Sequence, residues 1–155
     1  MTAPQYWLMK SEPEDCSIDD ALAAPDQTVP WTGVRNYQAR NFMRDAMRVG
    51  DGVIFYHSSC PEPGIAGIAR VASATRTDPT QFDPQSAYYD KASKREAPRW
   101  LLLDVQALRK TRLLSLAEMR DVPALESMRV LQRGNRLSIT PVTGDEWEAV
   151  MAQLA

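Results

Sequence analysis

Gly50-Asp51-Gly52-Val53-Ile54-Phe55-Tyr56-His57-Ser58 is a glycine-flanked turn that runs into an apolar, aromatic and β-branched stretch. The glycines punctuate the chain, and the residues after them form the clearest strand in the sequence. Working outward, Ile65 to Ala74 reads as its return strand after the Pro61-Glu62-Pro63-Gly64 turn. Gly67 inside that strand marks a place of close packing. Tyr6-Trp7-Leu8-Met9-Lys10 reads as a first strand, apolar enough to be covered on both faces. Trp100 to Ala107 is another strong strand and Leu137-Ser138-Ile139 a short one. Three capping boxes, Ser17/Asp20, Ser115/Glu118 and Thr143/Glu146, open helices. The last helix turns Trp147, Val150, Met151 and Leu154 inward. Five or six strands with helices inserted between them, few at parallel-crossover length, predict an α+β fold. The expected sheet is mixed and strongly bent, closing toward a pseudo-barrel with peripheral helices.

A chain of 155 residues with 44% apolar and 25% charged content is expected to form one domain over residues 1–155, with a core that needs no staples. No stretch has the length of a membrane span. Residues 1–5 show no export signal, so a cytoplasmic location is expected. Cys16 and Cys60 are too few and too far apart for a disulfide framework, and with His57 alone they make a poor zinc site. No phosphate loop, dinucleotide fingerprint or HExxH motif is present, so no cofactor or metal is expected. Nothing forces more than a monomer.

The net charge of −2 argues against tight nonspecific binding to nucleic acid, but the distribution is uneven. Residues 1–30 carry six acids against Lys10 alone. Residues 31–136 carry seventeen bases against eleven acids, and residues 137–155 carry three acids and no base. Within the basic part stands Trp31 to Arg48, WTGVRNYQARNFMRDAMR. Arg40, Arg44 and Arg48 recur every four residues and would line one helical face, with Phe42, Met43, Ala46 and Met47 on another. Such a row is either a solvated surface or a set of cations for phosphates. Trp31 sits between Pro30 and Thr32-Gly33, where a packed core residue is less expected. Trp31, Arg35, Asn36, Tyr37 and Gln38 just before the row are side chains that stack on bases and bond their edges. Residues 78–98 lack a clean period, hold Tyr88-Tyr89-Asp90 and the bases Lys91, Lys94 and Arg95, and are long enough to suggest a functional loop. Catalysis is weakly supported. His57 is the single histidine, and its neighbour Ser58 points to the other face of a strand. Lys10 at a buried strand end could serve as a nucleophile or, more simply, pair with a carboxylate or a ligand oxygen.

Four motifs in order carry a resemblance: Tyr6 to Pro13, Trp31 to Asn41, Gly50 to Ser58, and Gly134-Asn135-Arg136-Leu137-Ser138 with Pro141-Val142-Thr143. Together, over roughly residues 6–152, they resemble the EVE domain family. The resemblance implies a PUA-like pseudo-barrel, related to readers of N6-methyladenosine and to the ASCH group. It implies non-catalytic recognition of a modified base, usually a modified cytosine, in DNA or RNA. Carried over by position, the base pocket would comprise Lys10, Ser11, Trp31, Val34, Arg35, Asn36, Tyr37, Tyr56, His57 and Ser58. Arg40, Arg44, Arg48 and Arg136 would face the nucleic-acid backbone, and Asn135 would do so or hold a turn. The competing readings are an enzyme acting on a nucleotide or damaged nucleic acid, and a small-ligand or protein-binding module.

Overall fold

The computed structural model describes residues 4–155, so the reading of residues 1–5 as free of an export signal lies partly outside the described residues. Along the chain run β1 (Tyr6–Ser11), α1 (Pro13–Cys16), α2 (Ile18–Ala23), β2 (Thr28–Pro30), α3 (Tyr37–Asp45), β3 (Gly52–His57), β4 (Gly64–Val71) and β5 (Arg76–Thr77). They are followed by β6 (Leu101–Leu102), β7 (Asp104–Ser115), α4 (Leu116–Arg120), β8 (Ile139–Val142) and α5 (Gly144–Leu154). Six strands form one sheet in the order β2-β7-β4-β3-β1-β8, and β5 pairs with β6 apart from it. Within the six-stranded sheet only β1 and β3 pair in parallel, because the helices between them carry the chain back across the sheet. Register breaks at Phe55/Tyr56, Ile65/Gly67 and Ile68/Ala69 bend the middle strands. The mixed, bent sheet with peripheral helices is thus present. It stays open: β2 and β8 are its edges and do not pair.

Strand alternation divides the core in two. Trp7, Met9, Val53 and Phe55 meet Ile18 and Ala21 of α2 and Ala39 and Met43 of α3 on one face. Leu8, Ile54 and Tyr56 meet Met119, Leu125 and Val150 on the other. All three capping boxes form as read. Trp147 stacks on Tyr6 with ring centroids 4.5 Å apart. Gly67 lies under α2: a Cβ there would come within 2.5 Å of the Ile18 side chain. Two boundaries differ from the sequence reading. The strand read as Trp100 to Ala107 is interrupted at Leu103 and then continues to Ser115, its apolar signal masked by exposed Arg109 and Lys110. The last strand lies at Ile139–Val142, so its Pro141, opposite Trp7, sits on an edge strand that needs no outward donor.

Two polar groups tie these parts together. The Asp51 carboxylate, 3% exposed, accepts from the Trp7 indole (2.9 Å) and from the backbone N–H groups of Gln5 (3.0 Å) and Arg48 (2.9 Å). It fixes the α3–β3 turn to the start of β1. At the other end of β3, His57 Nε2 accepts from the Ile18 N–H at 3.1 Å and anchors the first turn of α2. Burial, helped by Lys110 and opposed by Asp19, pushes His57 below its ordinary value.

Asp51→Ala leaves three donors without an acceptor and should cost about 3 kcal/mol in urea unfolding, with Asp51→Asn losing less. For His57, the depressed folded pKa means that its contribution is complete above the unfolded value of about 6.5 and is lost as pH falls through the folded one. Stability should therefore drop more steeply from pH 7 to 5 in the wild type than in His57→Gln, which accepts the same bond without titrating. Parallel slopes would remove His57 from this role.

Candidate functional site

A cavity of about 670 Å³ opens beyond the C-terminal ends of the parallel pair β1 and β3. β1 contributes Lys10 and Ser11, and the segment after β3 contributes Ser58 and Ser59. The Trp31–Val34 turn forms one wall, and Glu12 with Glu14, Asp15 and Cys16 of α1 forms another. Val29, Pro30, Tyr88, Arg136 and Ser138 complete the lining.

The Trp31 turn is held rigidly. Trp31 is 7% exposed and its ring packs edge-on against Phe55 at 5.3 Å, while its backbone N–H donates to the Leu103 carbonyl. It is therefore a packed core residue as well as a wall of the cavity, which the sequence reading did not expect. Gly33 has φ +83°, and a Cβ on it would lie 2.7 Å from the Tyr88 ring, so only glycine lets that ring close over the turn. The Gly33 N–H donates to Asp78, whose side chain is fully buried. Asp78 also accepts from the Thr80 N–H and hydroxyl and from Arg35. Burial pushes its carboxyl up, but the hydrogen bonds from Thr80, Gly33 and Arg35 outweigh burial and hold it below the usual carboxylate range.

Six of the residues named from the sequence reach the cavity: Lys10, Ser11, Trp31, Val34, Ser58 and Arg136. Burial pushes the Lys10 ammonium down, and among the described residues it has no hydrogen-bond or ion-pair partner. The Ser11 hydroxyl donates to the Cys16 carbonyl and so fixes α1 against β1. Arg35, Asn36, Tyr37, Tyr56 and His57 are placed elsewhere. Arg35 bonds the Tyr88 and Val34 carbonyls, the Thr80 hydroxyl and Asp78, which makes it a brace between the turn and the loop. Asn36 caps α3 by accepting from Gln38 and Ala39. Tyr37 stacks outside on Trp100 at 4.8 Å. Tyr56 is buried in the opposite core, as alternation along β3 requires.

The expected row of three arginines is a row of two. Helix α3 ends at Asp45, which leaves Arg48 in the following turn. Arg44 pairs with exposed Asp45 at 2.8 Å, and Arg40 lies over the Tyr37 ring and donates to the Arg99 carbonyl. Asn135 holds a turn, donating to the Arg129 carbonyl and accepting from Leu137.

The sequence reading missed the acidic wall and Tyr88 as a partner of it. The Tyr88 hydroxyl donates to Asp15 at 3.1 Å, and burial followed by Asp15 pushes its phenol up. Cys16 is pushed up by burial, Asp20 and Asp15, which disfavours a thiolate. The irregular stretch around Tyr88-Tyr89 was the available signal for the loop. Nothing local pointed to α1. The cavity can hold a planar ring between apolar walls while offering donors and acceptors at its rim.

Comparison with known proteins gives the site a context. The EVE domain family profile matches residues 5–153. Human thymocyte nuclear protein 1 is 43% identical, with 95% of this chain and 72% of the relative covered. A crystal structure of a Pseudomonas putida protein is 45% identical with a TM-score of 0.92, covering 97% of this chain and 99% of that one. The crystal structure of human THYN1 in complex with 5-methylcytosine-containing DNA is 42% identical with a TM-score of 0.91, covering 96% of both chains. A profile that spans nearly the whole chain, with relatives of this similarity, places the chain in the EVE domain family.

Proposed function

We propose that this chain is a non-catalytic reader of a modified base, 5-methylcytosine in DNA first, with one nucleotide turned out of the stack into the cavity. The observation that carries the reading is an aromatic-walled cavity with room for a base, in a chain that matches the DNA-bound human THYN1 structure at 42% identity. Trp31, Val34 and Tyr88 supply apolar walls. Lys10, Ser58, Ser59 and Arg136 supply donors for the base edge or the flanking phosphate. Ser11, Asn36 and His57 are already bonded within the protein, which leaves the edge contacts to these other groups. Arg40 and Arg136 face the backbone in this reading. RNA carrying the same base is a second substrate of the same chemistry.

One observation favours an enzyme instead: the partly buried Lys10 amine, whose protonation is weakened. Borohydride trapping of an adduct between Lys10 and an oligonucleotide with an abasic aldehyde would replace the reader by that enzyme.

The deciding measurement is a fluorescence titration with oligonucleotides bearing one 5-methylcytosine or plain cytosine, as DNA and as RNA. A methyl group in a fitted apolar pocket should give roughly a tenfold to hundredfold preference. Lys10→Met should weaken binding to the methylated strand at least about tenfold while leaving thermal unfolding intact. Trp31→Ala should abolish the preference, and Trp31→Phe should keep the fold and most of the wall. Wild-type affinity in Lys10→Met together with an unchanged preference in Trp31→Phe and Trp31→Ala would move the site out of the cavity.

A further inference from the structure

Residues 78–99 form a long connection built around buried polar groups rather than around apolar ones. Gln81 is fully buried; it donates to the Asp78 and Trp100 carbonyls and accepts from the Ser93 hydroxyl and the Trp100 N–H. The Ser93 hydroxyl also accepts from the Arg99 N–H, and the Trp100 indole donates to Asp90 at 2.7 Å. Every buried side-chain nitrogen and oxygen among the described residues has a partner. A loop pinned in this way from its inner side presents its outer side in a fixed geometry.

On that outer side exposed bases outnumber exposed acids, four against Asp83 and Glu96. Lys91, Lys94, Arg95 and Arg99 are all exposed. Among the described residues Lys91, Lys94 and Arg95 take part in no ion pair, and Arg99 reaches Asp90 only at 3.8 Å. The Arg95 guanidinium is held over the Phe82 ring at 4.7 Å, which orders it without neutralising it. The cationic surface continues onto α3, because Arg40 donates to the Arg99 carbonyl and lies over Tyr37, itself stacked on Trp100 and half exposed. The inner side of the same loop meets the cavity through Tyr88, whose carbonyl accepts from Arg35. The opposite wall of the cavity carries Glu12, Glu14 and Asp15. One flank of the cavity therefore attracts a polyanion and the other repels it.

We infer that the outer surface of this loop, Lys91, Lys94, Arg95 and Arg99 together with Arg40, is a phosphate-binding ridge that carries the sugar-phosphate backbone next to the nucleotide in the cavity. The ridge engages DNA from one side only and leaves the α1 flank facing away from the backbone. Exposed cations on an ordered surface bind phosphates by releasing counterions, so each lost contact lowers the salt dependence of binding by about 0.9 on logarithmic axes for duplex DNA. The inference rests on the reading of the cavity as a base pocket, and the two separate in one experiment.

The protein is titrated with duplexes containing one 5-methylcytosine or cytosine at several salt concentrations, as wild type, Lys94→Glu/Arg95→Glu and Arg120→Glu. Arg120 lies exposed on α4, beside the opposite core. Lys94→Glu/Arg95→Glu should weaken binding to both duplexes alike, keep their ratio, and flatten the salt slope by about 1.8. Arg120→Glu should leave the slope unchanged. If the wild type discriminates but the double variant retains its slope, or if Arg120→Glu flattens it as much per charge, the ridge is wrong and the pocket stands. If the wild type shows no preference for the methylated duplex, the pocket reading has failed, and the ridge falls with it as a neighbour of the base.

Discussion

The fully buried carboxylate of Asp78 is the constraint on which the candidate site depends. It accepts four hydrogen bonds from three residues, Gly33, Arg35 and Thr80. A buried charge is tolerated only when it is paired and bonded, and here the bonds satisfy that condition at the same point where two remote segments meet. The Trp31–Val34 turn and the start of the 78–99 loop have no common secondary structure to hold them together. Asp78 and the guanidinium of Arg35 replace it. Tyr88 then has a fixed backbone carbonyl and a fixed ring, and the cavity gains a wall that no helix or strand supplies.

The rest of the site follows from topology. In the parallel pair β1 and β3 both strands end at the same edge, so the segments after them diverge and leave a crevice. Lys10 and Ser11 stand on one lip and Ser58 and Ser59 on the other. Asp51 fixes the far end of this pair and His57 the near end, so the crevice has little freedom to widen. Membership in the EVE domain family agrees with such a scaffold, and the DNA-bound relative shows that one member of similar structure meets methylated DNA.

What was legible in the sequence was local. β1, β3 and β4 stand out by their apolar runs, and Ser17, Ser115 and Thr143 announce helices because a capping box lies within four residues. Gly67 marked a close approach by its residue type alone, although its partner, Ile18, lies far along the chain. What was hidden depended on partners far along the chain. Arg35 has the chemistry of a base contact, but Asp78, 43 residues on, claims it first; Asn36 has it too and is claimed locally, by the first amides of α3. Arg48 kept the helical spacing after the helix had stopped. Tyr56 and His57 were assigned to one site, although alternation along β3 turns them to opposite faces and buries Tyr56 in the other core. The acidic wall was invisible because α1 is one turn long and carries no pattern of its own.

The bonds that shape the cavity span long stretches of chain: Gly33 to Asp78 is 45 residues, Arg35 to Tyr88 is 53, and Tyr88 to Asp15 is 73. Contacts of such separation close large loops, and the entropy of closing them is offset only by the fold as a whole. The cavity is therefore not a module that a fragment could carry. It comes into being with the completed domain, and a ligand that fills it favours the folded state as a whole.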